Sequence, residues 1–159
     1  MARTIVYEVT YPFLPANAST RRRPKVPVRL MHPTYQALFM DMDMLVDSGA
    51  DVTSLPLGMA GRLGINLANL QQHQTRGVGG VQTSYYCPNL VLSLAGVIVS
   101  PCPVSFTTTL NEALLGREGV FDQFAFGFEQ STWCLHVQLP HPSSVQFRSI
   151  PTRPVVLRP

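Results

Sequence analysis

The residues best suited to chemistry lie in one short run, Leu45-Val46-Asp47-Ser48-Gly49-Ala50-Asp51. Apolar residues lead straight into an acidic turn. Burying a carboxylate costs several kcal/mol unless it is paired or hydrogen-bonded. An aspartate delivered to the end of an apolar strand is therefore a candidate working group. Gly49 lets the backbone turn where a side chain would obstruct it. Asp, Ser and Gly are also ordinary turn residues. Taken alone, the run fits either a polar turn between strands or a carboxylate held for catalysis.

The remaining reactive residues form no competing pattern. His32, His73, His136 and His141 have no metal-ligand spacing, and no His-Glu-x-x-His is present. Cys87, Cys102 and Cys134 are odd in number and make no CxxC pair. They read as free thiols of a reducing compartment, which points to a cytoplasmic protein. Ser48 lacks the Gly-x-Ser-x-Gly flanks of a serine nucleophile. Neither a metal nor an organic cofactor is expected.

The elements that must position Asp47 are short. Fourteen prolines and eleven glycines in 159 residues favour many brief segments over long helices. With 45% apolar and 13% charged residues, the chain can bury one core and is not disordered as a whole. Met40, Met42, Met44 and Val46 share one parity, while Asp41, Asp43, Leu45 and Asp47 share the other. Period two predicts a strand over 36–46 with one face in the core and Asp41 and Asp43 outside. Further strands are predicted over Thr4–Tyr11, Val28–Met31, Val52–Leu55, Tyr85–Leu94 and Val97–Phe106. Ala95-Gly96 is the turn between the last two, and Pro101 and Pro103 suggest that the second is an edge or is broken. A short helix is expected after Pro56, over Leu57–Leu63, stopped by Gly64. Glu118–Phe124 reads as one or two helical turns packed through Val120, Phe121 and Phe124. Ala125–Phe128 and Trp133–Leu139 form a last hairpin. Trp133 and the phenylalanines of 121–128 are read as core or dimer-interface residues.

Three glycines around one valine, Gly77-Val78-Gly79-Gly80, read as a hairpin tip. The run is not a phosphate loop, since no Gly-Lys-Ser/Thr follows. Five of the twelve basic residues, Arg21, Arg22, Arg23, Lys25 and Arg29, fall in a proline-bounded stretch that reads as a solvated loop. The net charge of +3 hints at a polyanion, but no aromatic or helical companions accompany the cluster. No nucleic-acid partner is expected. The N-terminus carries Glu8 and lacks the apolar core of a signal peptide. No stretch is apolar enough to span a bilayer. The expected organisation is an N-terminal strand and basic loop (1–27), a main domain (28–139) and a proline-rich tail (140–159).

In order, the acidic turn, the glycine-rich tip about thirty positions later and the apolar run Ala113-Leu114-Leu115 ending in Gly116-Arg117 resemble a retropepsin. This is the single-lobed aspartic protease family of retroviruses, with bacterial relatives. The resemblance covers about residues 28–139, and the added helix and final hairpin look more like the bacterial type. It implies an all-β fold, a closed β-barrel of acid-protease type with one or two short helices. It also implies roles for single residues. Asp47 would be catalytic, and Ser48 would lock the two active-site turns of a dimer together. The Gly49 carbonyl would receive the substrate chain, with Ala50 completing the turn. Asp51 would contact substrate backbone and pair with Arg117. Gly77, Val78, Gly79 and Gly80 would form the flap tip, and Leu115-Gly116 would close the fold around the turn. The glycine string departs from the usual viral flap.

Amide hydrolysis by carboxylates alone needs two of them about 3 Å apart sharing one proton. Only one Asp-Ser-Gly turn occurs, and Asp122 lacks its neighbours. The second aspartate must then come from a second copy across a twofold axis. The expectation is a homodimeric aspartic endopeptidase acting on an extended peptide or protein with apolar residues near the cut. The rivals are a catalytically silent dimerisation or peptide-binding module of the same fold, and a basic-loop adaptor for nucleic acid.

Overall fold

The computed structural model describes residues 7–15, 21–77 and 80–140. Twelve strands follow in order, with two short helical turns. They are β1 (Val9–Pro12), β2 (Leu14–Pro15), β3 (Arg22–Arg23), β4 (Lys25–Met31), β5 (Phe39–Val46) and β6 (Thr53–Pro56). Helix α1 (Met59–Arg62) and a 3-10 turn (Leu67–Asn69) come next. Then follow β7 (Gln71–Gly77), β8 (Gly80–Leu94), β9 (Val97–Thr107), β10 (Leu114–Leu115), β11 (Ala125–Glu129) and β12 (Cys134–Gln138). The class is all-β, as the sequence predicts.

The main sheet runs β4-β5-β10-β6-β9-β8-β7 and closes on itself because β8 also pairs with β4. The length of β8 permits this. Its first half pairs with β7, and Val91–Leu94 pairs with β4. Inward residues of the ring form the core, with Leu30, Met44, Leu55, Leu92, Phe106 and Leu115 fully buried. In β5 the alternation holds: Met40, Met44 and Val46 are buried, and Asp41 and Asp43 are exposed. The turn between β8 and β9 has positive φ at both Ala95 (50°) and Gly96 (81°). Two such residues match the right-handed twist of the strands they join. Gly64, at φ 70°, ends the helical segment as expected.

A second sheet, β1-β12-β11, brings the two ends of the described chain together. Val9 lies opposite Val137 and Tyr11 opposite Leu135, and both partners on β12 are fully buried. The final hairpin is therefore held by the N-terminal strand.

Several local expectations change. The first strand, Val9–Pro12, overlaps the end of the predicted Thr4–Tyr11 and runs one residue past it; residues 4–6 of that prediction lie outside the described residues. Pro12–Pro27 is not one loop: β2 pairs with β3, and β4 begins at Lys25. Phe13 anchors this stretch, buried and edge-on to Trp133 at 5.9 Å. Nor is the basic cluster simply solvated. Arg23 and Lys25 both pair with Glu112. Arg29 grips Asp41 through two hydrogen bonds of 2.7 and 2.8 Å. The proline-bearing strand β9 is interior, with Val104–Thr107 between β6 and β8. Pro101 and Pro103 fall where its register with β8 is irregular, so they remove no regular ladder bond. Glu118–Phe124 forms turns with helical hydrogen bonds from Phe121 N to Arg117 O and from Phe124 N to Val120 O. Val120 and Phe124 are buried, Phe126 is half-buried, and Phe128 and Trp133 are exposed. The tail beyond Pro140 lies outside the described residues.

Candidate active site

The acidic turn sits where three strands meet. Strand β5 carries Val46 to its end, and β10 runs parallel beside it, with Leu114 opposite Leu45 and Leu115 opposite Val46. Strand β6 leaves on the other side of β10, with Leu114 opposite Ser54. The chain thus enters the turn on β5, departs on β6, and is straddled by β10 from about sixty residues later.

Backbone hydrogen bonds fix the turn. Asp47 N donates to Leu115 O at 3.1 Å, and Ala50 N donates to Asp47 O at 3.2 Å. After Gly116 the later segment returns the grip: Arg117 N donates to Ala50 O at 3.0 Å and Glu118 N to Asp51 O at 2.8 Å. Gly49 N donates to Asp47 Oδ1 at 2.9 Å, so the carboxylate is aimed by its own turn. Asp47 is half-buried, while Ser48 and Gly49 are exposed. One carboxylate oxygen is bound and the group still meets solvent, the arrangement a catalytic acid or base needs.

Gly116 is required for this crossing. A Cβ there would collide with the Val52 carbonyl carbon and stand 2.5 Å from Thr53 N and 2.6 Å from Val52 O. Only glycine lets β10 lie so close to the start of β6. Its buried N–H donates to Thr53 Oγ1 at 3.1 Å. Thr53 is fully buried, and its hydroxyl also reaches the Cys102 thiol. Burial pushes that thiol up to about 12, so Cys102 stays protonated there.

The arginine predicted to pair with Asp51 does so. Arg117 Nη2 bonds Asp51 Oδ1, with both side chains exposed. Such a pair contributes only about 0–1 kcal/mol to stability, so the backbone bonds hold the turn and the ion pair orients Asp51. The glycine tip lies at the end of the β7–β8 hairpin, where Gly77 pairs with Gly80. Val78 and Gly79 lie outside the described residues. Asp122 is elsewhere, accepting from Gly119 N at 3.2 Å.

Thr53 and Glu112 carry no role in the sequence reading, and Arg23 and Lys25 read there only as a solvated loop. The threonine follows the acidic turn by only two residues, a spacing that gives a usable signal. The other three are joined only by strand register. Among the described residues no three His, Cys, Asp or Glu are grouped to hold a metal ion. No helix among them is long and apolar enough to cross a membrane.

Comparison with known proteins agrees with this geometry. The family model described as aspartyl protease matches residues 40–119, half of the chain, from β5 to the turn after Arg117. Among solved structures the chain is similar to a retropepsin-like aspartic protease from Rickettsia conorii. The TM-score is 0.58 at 14% identity, covering 82% of this chain and 99% of that one. At that identity the likeness concerns the fold. No curated protein sequence gives a significant match.

Proposed function

This chain belongs to the aspartyl protease family, and from that premise we propose that it is an aspartic endopeptidase whose dyad forms between the Asp47 residues of two copies. The observation that carries the proposal is the turn itself. Asp47 stands at a strand end, aimed by Gly49 N and strapped by Leu115 O. The chain holds one such turn, so an isologous dimer supplies the second.

In the dimer the two carboxylates lie about 3 Å apart and share one proton, because like charges that close do not both ionise. The ionised member takes a proton from a trapped water, which attacks the scissile carbonyl. The protonated member hydrogen-bonds the carbonyl oxygen as it becomes tetrahedral, and a proton then passes to the leaving amine. The pair titrates as a unit. Ser48 ties the two turns together. Gly49 O and Asp51 receive the substrate backbone, and Arg117 holds Asp51 in place. The β7–β8 hairpin, tipped by Gly77–Gly80, closes over the peptide as a flap and excludes water. No metal takes part in this reaction. The three free thiols fit a reducing, cytoplasmic setting.

The test is digestion of a peptide library between pH 4 and 7 by the wild type and by Asp47→Asn. The reading requires cleavage that the variant abolishes. Equal behaviour of the two proteins removes the protease assignment and leaves a binding module of the same fold.

A further inference from the structure

The basic cluster is built into the wall beside Asp47. Val46 N donates to Pro24 O at 2.9 Å, and Lys25 lies opposite Leu45. This antiparallel register carries Arg23 alongside Asp47, one strand over. On the other side of β5, Leu114 lies opposite Leu45. Directly paired residues point to the same face, and side chains alternate along a strand. Lys25, Leu45, Leu114 and Asp47 therefore share one face. Leu45 and Leu114 are half-buried and form an apolar floor next to the carboxylate.

Across this floor runs an ion-pair bridge. Glu112 Oε2 takes Arg23 Nη1, and Glu112 Oε1 takes Lys25 Nζ at 2.5 Å. Two cations meet one carboxylate. A guanidinium offers five N–H donors and an ammonium three, and Glu112 engages one donor of each. Both heads keep donors for a second carboxylate, and the tether to Glu112 holds them in place beforehand. Lys25 is mostly covered, with 17% of its side chain exposed, so its charge is less screened than a surface lysine's. Asp43, on the same face, stands one paired row farther from Asp47 and is exposed.

We propose that Arg23 and Lys25, held by Glu112, are specificity-determining residues that select an acidic side chain in the peptide segment crossing Leu45 and Leu114. The proposal rests on the protease reading and names its substrate class: an apolar residue at the cut with Asp or Glu beside it. A substrate carboxylate there makes charge-assisted bonds to both heads. A neutral residue leaves the second cation without a counter-charge.

Two measurements on the full chain test it. In the first, a proteome-derived peptide library is digested and acidic residues within three positions of each cut are scored. Wild type should favour Asp and Glu roughly two- to fivefold over Gln and Asn, as expected for partly screened charge pairs. Arg23→Gln combined with Lys25→Gln should abolish the preference. In the second, fluorescein-labelled peptides differing only by Glu or Gln beside a Leu-Phe pair are titrated against wild type and against Asp47→Asn. The Glu peptide should bind tighter, and added salt should erase the difference. This arm needs no rim variant and no turnover, so misfolding of the double variant does not spoil it. Asp47-dependent cleavage without acidic preference overturns the rim proposal alone. Acid-selective binding without Asp47-dependent cleavage overturns the protease reading and keeps the rim. Equal binding of the two peptides overturns the rim in either case.

Discussion

Replacing Gly116 with alanine puts a methyl group into the backbone that straps the active-site turn. The added carbon would meet the Val52 carbonyl carbon, with Thr53 N at 2.5 Å and Val52 O at 2.6 Å. Ordinary contact begins near 3.5 Å, so the two strands must part by roughly 1 Å. None of these atoms is a flexible side-chain end that can swing away. The separation loosens the bond from Gly116 N to Thr53 Oγ1 and those from Arg117 N to Ala50 O and Glu118 N to Asp51 O. Overpacking costs about 1–3 kcal/mol, and a stranded buried amide costs about 1–3 more. The sum, about 2–6 kcal/mol, lowers the melting temperature by roughly 4–24 °C at 2–4 °C per kcal/mol. Gly61→Ala is the control. That site is exposed in α1, with nothing within 4 Å of the added carbon. Removing a helical glycine should raise stability by about 0.5–1 kcal/mol. Thermal melts followed by circular dichroism compare the three proteins. A Gly116→Ala melt within 2 °C of wild type, or an equal fall in Gly61→Ala, refutes the reasoning.

Three other outcomes follow from the same contacts. Thr53→Val keeps the shape but leaves the buried Gly116 amide unpaired, so urea unfolding should show a loss of about 1–3 kcal/mol, with Thr53→Ser retaining the hydrogen bond. Burial raises the Glu112 carboxyl, but the hydrogen bonds and charges of Lys25 and Arg23 outweigh it and leave the group below its ordinary value near 4.5. A depressed carboxyl contributes stability above the unfolded value that is lost as pH falls through the folded one. Wild type should therefore lose more melting temperature than Glu112→Gln as pH drops below about 4.5, and parallel curves would contradict this. Maleimide labelling followed by intact mass should modify Cys134 first in the native protein. Cys87 and Cys102, buried and with thiols raised chiefly by burial, should react only after denaturation.

The parts of the fold that were legible in the sequence are those with local causes. The alternation of Met40, Met44 and Val46 against Asp41 and Asp43 needs only a two-residue period, and β5 follows it. Ala95-Gly96 and Gly64 need only local backbone freedom. The pairing of Asp51 with Arg117 was read from resemblance, because sixty-six positions separate them and no periodicity joins them. The β2–β3 pair escaped because two-residue strands carry no pattern, and prolines and arginines around them read as loop. The interior place of β9 escaped because Pro101 and Pro103 argue for an edge unless the register irregularity beside them is known. The Arg23–Glu112–Lys25 bridge depends on which strands lie side by side, and topology alone decides that.

The central claim is that catalysis requires one Asp47 from each of two copies. Wild type and Asp47→Asn, mixed one to one, unfolded together and refolded at fixed total protein, test it through initial rates on a cleaved peptide. If the dyad forms across a dimer and subunits pair at random, only about a quarter of the dimers carry both aspartates. The rate should then fall to roughly one quarter of that of wild type at the same total concentration. A rate near one half shows that each chain works alone and contradicts the account.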